Sequence, residues 1–583
     1  MTDLPARSPT CSAREWRFVL AFSILALAIT SIPYVLGAAL ATESRVFGGF
    51  VYAVEDCYSY LAKMRQGAEG AWLFHIAYTP EPHPGALFFP FHLLLGKVAA
   101  LVPGGDLTAR MVWVYHGARA ACGLVLLLAV YRFLAEFTER VAVRRLAWLM
   151  VTFSGGLGWL LVALRQPDWL GSVPLDFILP EGFTFLVLYA FPHIALARAL
   201  LLTGLLSLLK AWHIPSPPPP TTKYGTRNTH HETRFTFHVS RFTFHVSRFT
   251  FHVSRFTFHV PRLPCSVLLS GLAWLLMGLI VPFYVAVAWA VMGAAWLALA
   301  VRERRLPWRE GLAAGGAALV SAPIVAYSAW MFSTDPVYAT WAAQNRILSP
   351  HPLHYLAAYG VLLVLAGIAV RSAWREERSG WLALAWVGVV PVLVYLPFNL
   401  QRRLVEGVQV PLSLLAALGL ARLQWQGVRL RVVSGVLLVL LSLTNAMLVV
   451  GNCLSLRGQA APIYREAEEV SALDWLDGQV EPGDVVLAAY ETGNYLPARV
   501  GARAFVGLGP ESVRADEKKA LVARFFDATT SDDWRQQLLA QYGVDYVFWG
   551  PAERALGDFD VGHVSYLKQL YSAGGYAVFE VRR

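Results

Sequence analysis

The sequence predicts a polytopic α-helical membrane protein with a soluble α/β domain after its last span. Three observations predict it. Of the 583 residues, 56% are hydrophobic and only 15% charged, too apolar for a soluble enzyme of ordinary composition. Apolar runs long enough to cross a bilayer recur from Phe18 to about residue 451. Beyond about Ile463 charges become frequent, and helical and strand-like stretches alternate.

At the N-terminus, Arg14 and Arg17 precede an apolar stretch from Phe18 to about Ala41. A signal peptide has a shorter apolar core and a small-residue cleavage site, so residues 1–17 are read as a cytoplasmic N-terminus before an uncleaved anchor. Further runs lie near 111–133, 146–164, 183–210, 265–281, 283–301, 311–332, 353–371, 381–398, 404–421 and 432–451. The expectation is about 11–13 transmembrane helices within 18–451. A shorter run, 86–102, contains Pro90, His92 and Lys97. Left out of the count as a re-entrant or interfacial segment, it allows the basic clusters at Arg140 with Arg144 and Arg145, in "RERRLPWRE", "RSAWREER" and "RLQWQGVRLR", and in the 212–264 insert, to lie together in the cytoplasm. A short true span paired with a missed one is the alternative.

On that count a first loop, 42–85, and everything from 452 to 583 are extracytoplasmic. The insert repeats "RFTFHVS" three times, with a fourth copy ending in Pro261. An odd period of seven reverses the apolar face at each copy, so a sheet would not bury it consistently, and it reads as a biased cytoplasmic insertion. In the C-terminal domain "REAEEVSALDWL" reads as helix, and "DVVLAAY", "YVFWG" and "YAVFEVR" as strands.

The net charge of +10 is explained by short basic clusters between spans, so nucleic acid is not expected as a partner. Five scattered cysteines show no CxxC spacing or disulfide framework. No GxxxxGK[ST] loop is present, hence no sign of an ATP-driven pump. His351 and His354 lack further ligands at zinc spacing, so no metal is assigned.

Chemistry concentrates in two outward pieces. In "VYAVEDCYSYLAKMRQGAEGAW", 54–68 set on a helix places Val54, Cys57, Tyr58, Leu61, Met64 and Ala68 on one side and Glu55, Asp56, Ser59, Lys63 and Gln66 on the other. This reads as an amphipathic interfacial helix, or as a merely solvated charged face. The following "YTPEPHPGALFFPFHLLLGKV" places His83 between prolines, as in a rigid turn or a loop-to-helix boundary. In "LPFNLQRRLVEGVQVPL", Arg402 and Arg403 stand against the positive-inside trend. Guanidinium groups there suit bidentate phosphate binding, and snorkelling is the alternative.

An N-terminal anchor, an acidic pair in a large first outer loop followed by "PEPHPG", many further spans and a C-terminal outer domain together resemble the GT-C glycosyltransferases. These are integral membrane enzymes using polyprenyl-phosphate-linked sugars, and protein O-mannosyltransferases and lipid A aminoarabinose transferases belong to the group. The resemblance covers the architecture of most of the chain; at residue level it is confined to the first loop. It implies that the family's acidic motif falls on Glu55 and Asp56, with Asp56 as general base toward an acceptor hydroxyl. It further implies a membrane-lipid setting, a polyprenyl-phosphate-sugar donor and a glycan, lipid or protein acceptor; no cofactor is assigned beyond the donor, and metal dependence stays open. From topology and charge, Arg402 and Arg403, with Lys63 and His83 as helpers, are the expected substrate-binding residues. The repeat insert has no counterpart in the family pattern. Two other classes compete: a transporter or flippase, which needs ionisable groups within spans such as Lys97, Arg119 and Arg198, and a non-catalytic scaffold.

Overall fold

The computed structural model describes residues 11–212, 264–375, 379–423 and 427–582. The insert read at 212–264 therefore lies, apart from its two end residues, outside the described residues.

The chain enters with α1 (Ala13–Ala39), N-capped by Ser12 in a capping box with Glu15. The first loop holds β1 (Arg45–Phe47), α2 (Val54–Ala68) and α3 (Pro90–Leu101). Next come α4 (Leu107–Ala135), α5 (Val141–Phe153), α6 (Gly158–Ala163), α7 (Leu175–Ile178), α8 (Thr184–Ala190) and α9 (Pro192–Trp212). After the insert follow α10 (Cys265–Ile280), α11 (Tyr284–Glu303), α12 (Trp308–Thr334), α13 (Pro336–Gln344), α14 (Leu353–Arg375), α15 (Gly380–Leu393), α16 (Gln409–Arg422) and α17 (Val428–Ser455).

Eight described helical segments are long and apolar enough to cross a membrane, fewer than the 11–13 expected. The difference lies in particular segments. The run at 146–164 breaks at "SGGL" between α5 and α6, where the Asp176 carboxylate accepts from Gly156 N (2.9 Å), Gly158 N (3.0 Å) and Thr444 Oγ1 (2.7 Å). The run at 183–210 breaks before Pro192, while α10 and α15 have only 16 and 14 residues. With 12 residues, α3 is about 18 Å long, well short of a hydrocarbon core of about 30 Å, in keeping with its being left out of the span count.

The C-terminal part comprises β2 (Tyr464–Glu466), α18 (Ala467–Asp477), β3 (Val485–Leu487), α19 (Tyr490–Arg499), β4 (Arg503–Ala504), α20 (Ala515–Phe526), α21 (Asp532–Tyr542), β5 (Tyr546–Trp549), α22 (Pro551–Arg554), β6 (Leu567–Ala573) and β7 (Tyr576–Val581). Five strands form one sheet in the order β4-β3-β5-β7-β6. β3 runs parallel to β4 and β5, and the β5-β7-β6 edge is antiparallel. β3, β5 and β7 fall in the runs read as strand-like, β2, β4 and β6 lie outside them, and the run "REAEEVSALDWL" forms α18 after its first two residues, which belong to β2.

This domain is bound tightly to the first loop. β1 pairs antiparallel with β2, Tyr58 Oη donates to Pro462 O (2.6 Å) and Ala504 N to Ala77 O (2.8 Å). Lys518 Nζ meets Glu81 at 2.6 Å, Arg499 reaches Asp106 at 3.2 Å, and Arg65 pairs with Asp477. Such buried polar contacts need complementary geometry on both sides, so loop and domain form one roof over the same end of the helices.

Candidate active site

The site is built on α2. Its apolar side, with Cys57, Tyr58, Leu61 and Met64 at most 1% exposed, packs in one cluster with Met111 and Tyr115 of α4 and with Tyr495, Leu496 and Ala498 of α19 in the C-terminal domain, each large side chain contributing about 1.5–3 kcal/mol by burial. The helix is entered from Ala53 in the left-handed region (φ 48°), and Glu55 and Asp56 occupy its first turn, where the helix dipole favours negative charge. Behind it, α3 approaches backbone to backbone. A Cβ on Gly96 would lie 1.7 Å from Met64 O, and one on Gly67 would lie 2.0 Å from Leu93 O, so both positions need glycine for the two helices to touch.

The polar side of α2 differs from the expected solvated face. Glu55 and Asp56 are exposed, but Ser59 and Lys63 are 2% and 1% exposed. The C-terminal domain covers them: Lys63 Nζ donates to Glu511 Oε1 at 2.7 Å, both side chains being buried. It also donates to Ser59 O and Oγ, and Ser59 Oγ donates to Asp56 O at 2.7 Å. The polar side of α2 is thus divided: Ser59 and Lys63 are covered by protein, while Glu55 and Asp56 stay exposed.

The side chain of Asp56 is exposed, while the protein packed around it forms a recess that part-desolvates the carboxyl. Burial raises its carboxyl above the ordinary aspartate value, while the Arg403 guanidinium and Lys63 ammonium pull it down. Its carboxylate has no hydrogen-bond partner among the described residues. Glu55 is raised by burial, by Asp56 and by Glu491 of the C-terminal domain, with Lys519 opposing.

Arg403 faces this recess from the short helical turn Gln401–Val405. Its Nε lies 3.4 Å from Glu181 Oε1. Glu181 is itself set from beneath: its carbonyl accepts from Arg198 Nη2 (2.7 Å) and Gly407 N (3.0 Å). Arg198 closes on Glu406 at 2.5 and 3.0 Å with both side chains fully buried. Arg402 is half-buried, and its Nε has no hydrogen-bond partner among the described residues. Tyr60, one turn along α2 from Asp56, stacks on His92 at 4.6 Å and meets His193 edge-on at 4.8 Å.

Asp56, Arg403 and Lys63 are thus brought within electrostatic reach of one another, with Glu55 beside them and Arg402 next in sequence to Arg403. Lys63 is not a free cation, because Glu511 takes its ammonium. His83 is turned into its own loop: Nε2 accepts from Ile76 N (2.8 Å) and Nδ1 lies 2.8 Å from Glu81 O. Both ring nitrogens are occupied, and burial lowers its pKa from the ordinary histidine value, so it braces the turn. Sequence reasoning missed Glu181, Glu406, Tyr60 and Glu511. Glu181 stands in the short connection "LPEGF" and Glu406 three residues after Arg403, weak signals of counter-charges; nothing local marks Glu511.

The ionisable groups that a transport route would use are engaged. Arg119 donates to Leu188 O, Thr30 and Ser31, Arg198 is held as above, and Lys97 donates to Gly67 O and Gly70 O. No group of three or more His, Cys, Asp or Glu that could hold a metal ion occurs among the described residues.

No protein-family model and no curated protein matches the sequence. Solved structures do. Arabinofuranosyltransferase AftD from Mycobacteria is 15% identical over 99% of this chain and 42% of that chain, with a TM-score of 0.52; the chain spans less than half of AftD. ArnT from Cupriavidus metallidurans is 12% identical over 97% of this chain and 98% of that chain (TM-score 0.47). The archaeal oligosaccharyltransferase AglB from Archaeoglobus fulgidus is 12% identical over 92% and 70% (TM-score 0.45). At these identities the likeness is one of fold, and the AftD match carries it: this integral, multi-pass membrane protein has the fold of the GT-C glycosyltransferases.

Proposed function

We propose that the protein is a glycosyltransferase that moves a sugar from a polyprenyl-phosphate-linked donor to a hydroxyl acceptor outside the cytoplasm. The observation that carries the reading is the Asp56 carboxylate, open to solvent and without a hydrogen-bond partner among the described residues, with the Arg403 guanidinium within electrostatic reach across the recess. AglB and ArnT have been solved with dolichol-phosphate and undecaprenyl phosphate; such a donor in this chain is part of the proposal.

In this reading Asp56 takes the proton of the acceptor hydroxyl as its oxygen bonds to the anomeric carbon. The bond from that carbon to the phosphate oxygen breaks, its electron pair leaves with polyprenyl phosphate, and Arg402 and Arg403 stabilise the charge that develops there. A carboxyl raised by burial is the stronger base for this step. With the basic clusters read as cytoplasmic, this proposal puts the site, the first loop (42–85) and the 452–583 domain on the outer side of a bacterial plasma membrane. Glu55 borders the acceptor side of the recess.

The test is release of polyprenyl phosphate by purified protein from a panel of lipid-linked sugars with cell-envelope acceptor extract. Wild type is expected to turn over and folded Asp56→Asn to be inactive. Full activity in Asp56→Asn would remove Asp56 from the mechanism, and no donor consumption by wild type would remove the transferase reading.

A further inference from the structure

The described structure gives each cation beside Asp56 its own carboxylate. Arg403 meets Glu181, supplied by the membrane part, and Lys63 meets Glu511, supplied by the C-terminal domain 448 residues away in sequence. The second pair is the unusual one. Lys63 lies seven residues after Asp56, on the same side of α2 and about 10 Å along it by helix rise. Its side chain is 1% exposed, and its ring neighbours are Phe89 at 4.5 Å and Phe74 at 5.4 Å. An ammonium so placed acts through a medium that screens it poorly. Glu511 lies in the turn Gly509–Glu511, which Gln344 grips from the membrane part through Nε2 to Gly509 O (3.3 Å) and Pro510 O (3.0 Å).

We propose that Glu511 is a positioning residue through which the C-terminal domain sets the electrostatic field at Asp56, by holding and half-neutralising the Lys63 ammonium. The domain is then a working part of the active site. Glu511 touches no reacting atom; it acts through Lys63, and the Lys63–Ser59–Asp56 backbone hydrogen bonds tie the same cation to the turn that presents the carboxylate. The inference rests on Asp56 being the base.

The groups that act on Asp56 are Glu55, Cys57, Tyr60 and Lys63 on α2, Arg403 on the turn after α15, Tyr52 and Tyr78, with Arg402 and Glu181 beside Arg403. His193 on α9 and His92 on α3 lie behind Tyr60, and Glu491 and Lys519 of the C-terminal domain face Glu55. Of these, Lys63 is the one that bonds Glu511 among the described residues, so in the Glu511 variants the pH at which activity falls on the acid side reports the Lys63 field on Asp56. Two variants push it in opposite directions. Glu511→Gln leaves the ammonium uncompensated, holds Asp56 ionised to lower pH and moves the acid limb down. Lys63→Met/Glu511→Met removes both charges, withdraws the cation and moves the limb up. Apolar replacement of a whole buried pair is commonly neutral or stabilising, so the double variant keeps its fold even where the single one does not.

The experiment is the pH profile of kcat/KM for polyprenyl phosphate release by full-length wild type and both variants. Glu511→Gln, which removes one charge, is expected to move the limb by about 0.5–1 pH unit in a medium of intermediate dielectric, and the double variant, which removes an opposed pair, by about 0.1–0.3 unit the other way. An upward shift in the double variant supports the proposal, and a downward one in Glu511→Gln adds to it. A double variant that is folded and active with the wild-type limb overturns it, as does a folded double variant without activity, since the pair would then be needed for something other than the field. Wild type without donor turnover overturns the transferase reading instead, and this inference with it.

Discussion

Glu15 and Asp56 are both carboxylates within reach of an arginine, at opposite ends of the helix bundle. Glu15 accepts four hydrogen bonds, from Ser12 N and Oγ (both 2.9 Å), Tyr131 Oη (2.6 Å) and Arg144 Nη1 (3.1 Å). It is 4% exposed. Asp56 accepts none from the described residues at its carboxylate and remains open. A saturated carboxylate has no lone pair left for a substrate and serves as a joint between α1, α4 and α5. An unsaturated one, held in a recess that raises its pKa, is free to take a proton. Residue type and the presence of an arginine do not separate the two; the hydrogen-bond inventory does.

The sharpest way to break this contrast is to neutralise each carboxylate in turn. Asp56→Asn is expected to reduce polyprenyl phosphate release by about 10²–10⁴-fold, the usual worth of a general base, without changing the melting temperature of the purified protein. Equal activity would make Asp56 a bystander. Next in size, Arg403→Ala or Arg402→Ala should each cost about 10²-fold in kcat, as loss of one donor to a developing oxyanion does; a change confined to KM would mean that the guanidinium holds the donor equally in ground and transition states.

A smaller effect is expected where the recess is disturbed from behind. Gly96→Ala places a methyl group against Met64 O, forcing α3 off α2 at a cost of about 1–3 kcal/mol. Turnover should fall and thermal stability with it, and wild-type values for both would show that the helix pair has slack. The smallest effect on turnover belongs to Glu15→Gln. Activity per folded molecule should be unchanged while stability falls by about 1–3 kcal/mol, because Arg144 is left buried with a weakened partner. Loss of activity in a stable Glu15→Gln protein would dissolve the distinction between the two ends.

Much of the architecture was legible because membrane spans and strand runs are written in local composition. The acidic pair was visible for the same reason: two adjacent carboxylates after an apolar run stand out. Helix breaks were harder, since the 146–164 run stays apolar across Ser154–Leu157 and the break depends on Asp176 and Thr444, distant in sequence. Lys63 illustrates the main limit. Its helical phase was read correctly, on the side of Asp56, but whether that side meets solvent, lipid or protein depends on a domain more than 400 residues later. His83 shows the converse: a conspicuous proline-flanked histidine whose two nitrogens serve only its own turn. Glu181 and Glu511 carry no local mark, because a counter-charge is defined by what it faces.

The ribbon of β1 with β2 has a consequence for how the protein is made. Tyr58 and the Pro462 carbonyl it bonds are separated by 404 residues. At about 5–20 residues per second, the first loop waits roughly 20–80 s for its partner strand and for Glu511 while the intervening helices are inserted. Throughout that interval α2 has emerged with Lys63 unpaired and its polar side uncovered. Assembly of the recess is therefore a terminal event of biosynthesis, and a nascent chain halted before the C-terminal domain should carry every span and yet have no completed active site.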